Sequence, residues 1–275
     1  MIGMGERLSI DSTLDRKRRR RVAAVGSFLV LLVVLLSWQA VSALGMVHAI
    51  ILPPPMDVAQ ALFETLTEGF FYEHLQVTVV EVLAGFVIGS AIGLSLGAFL
   101  GSSRMARLIA YPYVIAFQGL PKVVLAPIFI AAFGFGISSK IVMAVAISFF
   151  PLLIDTMAGF ASVDPEAVRL MKSLKASRRD VILKLAIPHA LPHIFAGLKT
   201  GVTLALVGAL VGEFVGASEG LGYLLSVYTY QLQISRVYAV TLVLAGLGVV
   251  LFMMLDFIDR RIVFWASERQ LESSM

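Results

Sequence analysis

The chain has no cysteine and little charge: Asp, Glu, Lys and Arg make up only 15% of its 275 residues. Without cysteine there is no disulfide framework and no thiol chemistry. No Lys follows a Gly, so the phosphate-cradling pattern G-x-x-x-x-G-K-[ST] is excluded. No HExxH and no clustered Ser/His/Asp set occurs either, which leaves a membrane enzyme without a catalytic constellation. Long Ser/Gly linkers are also missing, and with a single compositional regime the chain reads as one domain.

Apolar sequence is abundant. Hydrophobic residues reach 59% and the mean hydropathy is +0.91, against about 45–50% apolar in soluble domains. A water-soluble fold of this length could not hide so much apolar surface, so the solvent is largely lipid. Six stretches, 22–44, 74–101, 108–133, 139–160, 194–215 and 237–259, are long enough to span the hydrocarbon core. Bare peptide groups are not solvated there, so each should be helical, giving an all-α polytopic membrane protein. The first stretch follows a basic run, "RKRRRR" (Arg16–Arg21), and ends in "VSA" like a signal peptide, but its apolar run is too long for an h-region.

Orientation follows from the basic residues between spans. The segments before 22, 102–107, 161–193 and after 259 carry eighteen Lys and Arg, whereas the intervening segments carry only Arg236. By the positive-inside rule, the tails 1–21 and 266–275 and the loop 161–193 face the cytoplasm, with the permeation unit proper spanning 22–265. The outer segment opens with "LPPP" (Leu52–Pro55). Asp57 and Gln60 then suggest a capping box, and Val58, Ala61, Leu62, Thr65 and Leu66 an amphipathic surface helix bracing the first span.

Within the spans, Gly85, Gly89, Gly93, Gly97 and Gly101 recur every fourth residue. They form a stripe for close helix approach, either a fixed seam or one that permits sliding. The third span is interrupted by "GLPKVVLAP" (Gly119–Pro127), where prolines kink the helix and Lys122 beside Pro121 either faces a pathway or snorkels to an interface. Glu81, Asp155, Glu213 and Asp256 are scattered acids that form no evident proton relay, with Asp256 placed at an interface by its neighbours Asp259, Arg260 and Arg261. His189 and His193, four apart, are too few ligands for a metal site.

The stretch "VRLMKSLKASRRDVILKLAIPHALP" (Val168–Pro192) is the chain's basic interruption. Asp164-Pro165 starts one helix, with Ala167, Leu170, Met171 and Leu174 on one side and Arg169 and Lys172 on the other. Ser177 and Asp180 form a second capping box, and that helix should end at Pro188. The segment reads as an elbow bent near Lys175 and Ala176, which either lies on anionic lipid or projects to a partner.

"SLKASRRDVILKLAIPHALPHIFAGLK" (Ser173–Lys199) resembles the cytoplasmic loop signature of binding-protein-dependent ABC importer permeases, with Ala176-Ser177 and Pro188 to Pro192 matching its fixed points. "LPPPMDVAQAL", "LAPIFIAAFGFGISSKI", "SVDP" and "GEFVGASEGLGYL" are similar to the nitrate/sulfonate/taurine-type branch, over roughly residues 50–265. Arg169, Leu170 and Met171 depart from the family's acid-Ala-Ala opening. Lys175 takes its glycine position, a replacement that suits only a bend without positive φ. Glu81 stands where many sulfonate-type relatives carry Arg. Both departures resemble the pyrimidine-precursor branch.

The resemblance implies a type I ABC importer permease fold in the bacterial inner membrane. It also implies a second permease copy, two ATPase subunits that hold the ATP and Mg, and a periplasmic or lipid-anchored substrate-binding protein. This chain would bind no cofactor, metal or nucleic acid. The elbow would couple to the ATPase, and Glu81, Pro121, Lys122 and Glu213 would lie along the pathway. A stand-alone secondary transporter or channel is the rival reading.

Overall fold

The computed structural model describes residue 22 and residues 25–48 and 50–265. The two tails read from the sequence as cytoplasmic lie outside the described residues. Among the described residues every element is a helix. They are α1 (Val25–Ala43), α2 (Pro55–Thr67), α3 (Gly69–Ser102), α4 (Arg104–Gln118), a 3₁₀ turn (Lys122–Leu125), α5 (Ala126–Phe133), α6 (Ile137–Ala161), α7 (Pro165–Ser173), α8 (Arg178–Val181), a π turn (Ile182–Ala186), α9 (Ile187–Gly216), α10 (Leu221–Tyr230) and α11 (Ile234–Ile262). Five of the helices are long and apolar enough to cross a bilayer, and α4 with the segment Lys122–Phe133 makes a sixth, bent by 80°.

The centre of the bundle is α6, packed against both α3 and α9, which also touch each other. All five glycines of the α3 stripe face it. A Cβ at Gly93 would stand 2.8 Å from Leu152 Cβ, and one at Gly97 would stand 2.7 Å from Leu153 O. Helix α9 presents a second glycine face to α6, where a Cβ at Gly208 would lie 2.7 Å from Ala144 Cα. Side chains absent on both outer helices let three backbones approach closely, so dispersion contacts replace the hydrophobic drive that lipid does not supply. A second apolar cluster joins α3, α9, α10 and α11 through Phe71, Val82, Val202, Leu206, Leu221 and Val240. By contrast, α1 leaves its sides exposed. Its C-terminal end is held where Trp38 Nε1 donates to Pro53 O at 3.0 Å and the Trp38 ring meets Tyr238.

Local structure departs from the sequence reading at three points. Helix α2 begins at Pro55, ahead of the expected Asp57 cap, because proline is preorganised for the first helical position where its missing donor costs nothing. Gln60 instead reaches forward to Glu64 Oε1 at 3.0 Å. Helix α2 braces α11, where Arg236 donates to both carboxylate oxygens of Glu68 at 3.3 and 3.0 Å, while the first span is met by the turn ahead of α2, at Leu52 and Pro53. Lastly, Pro188 does not end the second elbow helix. The π turn carries α8 into α9, with Ile187 N donating five residues back to Ile182 O, and this wider turn takes in the chain ahead of the proline rings.

Candidate functional site

Three places hold the chain's chemistry. At the bundle end away from the elbow, α3, α6 and α9 enclose a polar cluster. Glu81 and Glu213 are each 2% exposed, Lys140 is 1% exposed, and Glu81 lies beside Glu213. Thr78 Oγ1 donates to Glu213 Oε1 at 2.6 Å and accepts from Leu221 N at 2.8 Å. Gly222 N donates to the other Glu213 oxygen, and Gly220 N to His74 Nδ1 at 2.9 Å. Glu213 therefore ties the turn ahead of α10 to α3. Gly220 sits at φ +107 with the Glu213 carboxyl packed where a Cβ would be, so both its conformation and its emptiness are needed there.

Lys140 closes the same region by donating to Phe135 O, to Gly136 O at 3.2 Å and to Gly216 O. Gly216 is the last residue of α9, so the ammonium caps a helix C-terminus as well as facing two carboxylates. Sequence reasoning passed over Lys140, which lies within an apolar run. Its signal was a lone Lys at the start of a span, in a chain whose next span ends in Glu213.

The second place is the broken helix. Helix α4 stops at Gln118, Gly119 caps it, and Pro121 turns the chain into the 3₁₀ segment. Pro121 is exposed. The half-buried Lys122 donates to Gln118 O at 3.1 Å, and its ammonium stands 4.6 Å from the centroid of the Phe150 ring on α6. Thus the four residues expected along a pathway fall into two groups: Glu81 and Glu213 are enclosed by helices, while Pro121 and Lys122 sit on the open side of the bundle. Helix α4 buries none of its side chains.

The third place is the elbow. Asp164 Oδ1 accepts from Glu166 N at 2.9 Å ahead of Pro165, as the sequence predicts, and Ser177 and Asp180 cap α8 reciprocally. Helix α7 ends in a Schellman closure: Ala176 N donates to Met171 O and Lys175 N to Lys172 O, both at 3.0 Å. That closure requires a left-handed residue, and Lys175 supplies it at φ +60. The expectation that Lys at the glycine position goes with a bend lacking positive φ is therefore overturned. The two hydrogen bonds fix the conformation, and Lys takes the steric cost.

On the outside of the elbow, Leu170 is 63% and Leu174 74% exposed, while Met171 and Ala176 are half-buried. Arg169 pairs with Glu166 at 3.2 Å, and Asp180 with Lys184 at 2.7 Å. Pro188 and Pro192 line a separate hollow with His189, His193 and Trp265, where His189 Nε2 lies 3.1 Å from Ser162 Oγ. Among the described residues no three His, Asp or Glu side chains converge as a metal site. Asp256 is not merely interfacial: Lys199 reaches it at 2.6 Å and Asp259 at 2.7 Å, joining α9 to α11.

The sequence pattern of binding-protein-dependent transport system inner membrane components matches residues 89–264. A probable ABC transporter permease protein of Haemophilus influenzae is 33% identical over 244 residues, covering 89% of this chain and 99% of that protein. The formylaminopyrimidine transport permease protein of Halalkalibacterium halodurans is 29% identical over 251 residues, covering 91% of this chain and all of that one. Among solved structures, a chain of the inward-facing MetNI methionine ABC transporter superposes with a TM-score of 0.57 at 21% identity, covering 69% of this chain and 93% of its own.

Proposed function

The chain belongs to the family of binding-protein-dependent transport system inner membrane components, and from that premise we propose how this ABC importer permease works. The type I importer fold is the scaffold. Both tails and the elbow lie in the cytoplasm, following the basic-residue count. The elbow, 161–193, seats in a separate ATPase subunit that holds ATP and Mg. Two such ATPases serve two permease copies, and a substrate-binding protein delivers the solute to the outer mouth. The solute is a small sulfonate, nitrate, taurine or pyrimidine-precursor type molecule, selected mainly by that binding protein.

One observation carries the coupling role. Leu170 and Leu174 stand exposed on an elbow whose ends are all capped, in the most basic loop of the chain. An apolar pair held rigidly in water is costly unless a partner covers it. The open side of the bundle, with α4 unburied and Lys122 at the bend, faces the second copy and lines the path between them, while Glu81 and Glu213 hold the outer end of each protomer in shape.

The absence of cysteine makes the test direct. Leu174→Cys is the only thiol in the chain, and cross-linking from it in native membranes, read by mass spectrometry, should capture a P-loop ATPase with a yield that changes on ATP binding. Capture of lipid or of the chain itself alone would refute the coupling role and favour a stand-alone transporter.

A further inference from the structure

The elbow does not close flat onto the spans. Between α7–α8 and the adjoining ends of α3, α4 and α6 lies a cavity of about 760 Å³. Arg104, Arg107, Arg169, Lys172 and Arg178 line it, and no carboxylate does. Of the acids that flank the lining in sequence, Glu166 pairs with Arg169 at 3.2 Å, Asp180 with Lys184 at 2.7 Å, and Asp164 accepts from Glu166 N at 2.9 Å. Arg104, Arg107, Lys172 and Arg178 have no carboxylate partner among the described residues. Arg107 makes only a long contact to Gly101 O, at 3.5 Å.

Like charges gathered around one space repel unless an anion enters it. The remaining walls are apolar, formed by Phe160, Val163, Val168, Val181 and Ile182. Just beyond Arg104 on α4, Met105, Leu108 and Ile109 are exposed, as on a surface facing lipid. A free inorganic anion would satisfy the cations and leave those walls wet. An amphiphile satisfies both. In the topology proposed above, the cavity also lies at the cytoplasmic headgroup level, where basic pockets between spans take acidic lipid.

We propose that this cavity is a binding site for an acidic phospholipid, with its phosphate among the α4 and elbow cations and its chains along the apolar wall. Arg169 and Lys172 lie on α7 and Arg178 opens α8, so an occupied site ties both arms of the elbow to α4. Acidic lipid thereby sets the angle at which the elbow is presented.

The test is native mass spectrometry of the full chain in detergent, titrated separately with phosphatidylglycerol, cardiolipin and phosphatidylethanolamine. The acidic lipids should be retained at least tenfold better than phosphatidylethanolamine. Arg104→Gln with Arg107→Gln, both off the elbow, should lower acidic-lipid affinity about thirtyfold, at about fivefold for each cation removed. Arg179→Gln with Arg261→Gln, an equal charge change outside the cavity, should change it less than about twofold. Equal retention of phosphatidylethanolamine by the unaltered chain overturns the site without reference to any variant. So does equal loss in the control pair, or complete displacement of lipid by millimolar inorganic phosphate, which would mean a soluble anion site. Lipid retention is read without transport, so its failure is separate from failure of the coupling role.

Discussion

Replacing Lys175 by glycine should tighten the elbow, although it removes a side chain and a charge. Lys175 sits at φ +60, held there by the two hydrogen bonds that close α7. An L-residue in that region carries roughly 1–2 kcal/mol of steric cost. Glycine avoids it but gives up about 0.5–1 kcal/mol through its greater freedom in the opened segment. The balance favours Lys175→Gly by about 0.5–1 kcal/mol, against local opening of the elbow and not against global unfolding. Hydrogen exchange reads this directly, because the amides of Lys175 and Ala176 are the donors of the closure. Their exchange should slow by about twofold to fivefold. Lys175→Ala keeps the left-handed strain while removing the charge, so its exchange should stay near that of the unaltered chain. Faster exchange in Lys175→Gly, or equal slowing in Lys175→Ala, would refute the steric argument and point to the ammonium group.

Gly97→Ala should force α3 off α6, since the new Cβ would stand 2.7 Å from both Leu153 O and Thr156 Cβ; a loss of about 1–3 kcal/mol should appear as a lower thermal midpoint in detergent, whereas Gly246→Ala, with nothing within 4 Å, should not lower it. Lys140→Met leaves the Phe135 and Gly216 carbonyls without their shared donor, a loss of about 1–3 kcal/mol that should be seen as poorer recovery of monodisperse protein; normal recovery would sink the capping role. Arg236→Gln should free α2 from α11, raising protease cleavage within 55–67 while the core spans stay protected, because a partly exposed ion pair is worth only about 1 kcal/mol. Lys122→Ala should impair uptake while leaving assembly intact, and unchanged uptake would remove Lys122 from the pathway.

The spans and the elbow were legible because lipid and capping chemistry are local constraints. A run such as 237–259 has to be helical in hydrocarbon, and Asp164-Pro165 or Ser177-Asp180 can only satisfy a helix start nearby. The break at Gly119–Pro121 was legible for the same reason. The partner of α2 was not, because Glu68 and Arg236 are 168 residues apart and nothing local pairs them. Lys140 stayed hidden because a cation near a span end has an ordinary explanation in snorkelling, and only the fold shows that its end is closed over by Gly216. The α9 glycine face could have been found by the same count that revealed the α3 stripe. Its spacing widens between Gly201 and Gly208, which conceals it.

The two glycine faces also decide between a fixed and a sliding seam. Along α3, the five glycine positions abut Ala144, Ser148, Leu152, Thr156 and Phe160 of α6 in order, one step of the stripe for each turn. Small displacements along the axis would drive those side chains into the α3 backbone, so any slip has to be one step of the stripe, four residues or about 6 Å. Helix α9 grips α6 equally closely, and away from the elbow Lys140 joins α6 to Gly216 of α9 while Thr78 joins α3 to Glu213. In the reading proposed above, the three helices form one lever that runs from the polar cluster to the elbow. The same reading assigns motion to the α4–α5 bend, where the prolines have removed backbone donors, α4 buries nothing, and the chain turns by 80°. Under the proposed coupling role, a lever with its joint at the open side lets a push on the elbow change which end of the path is closed.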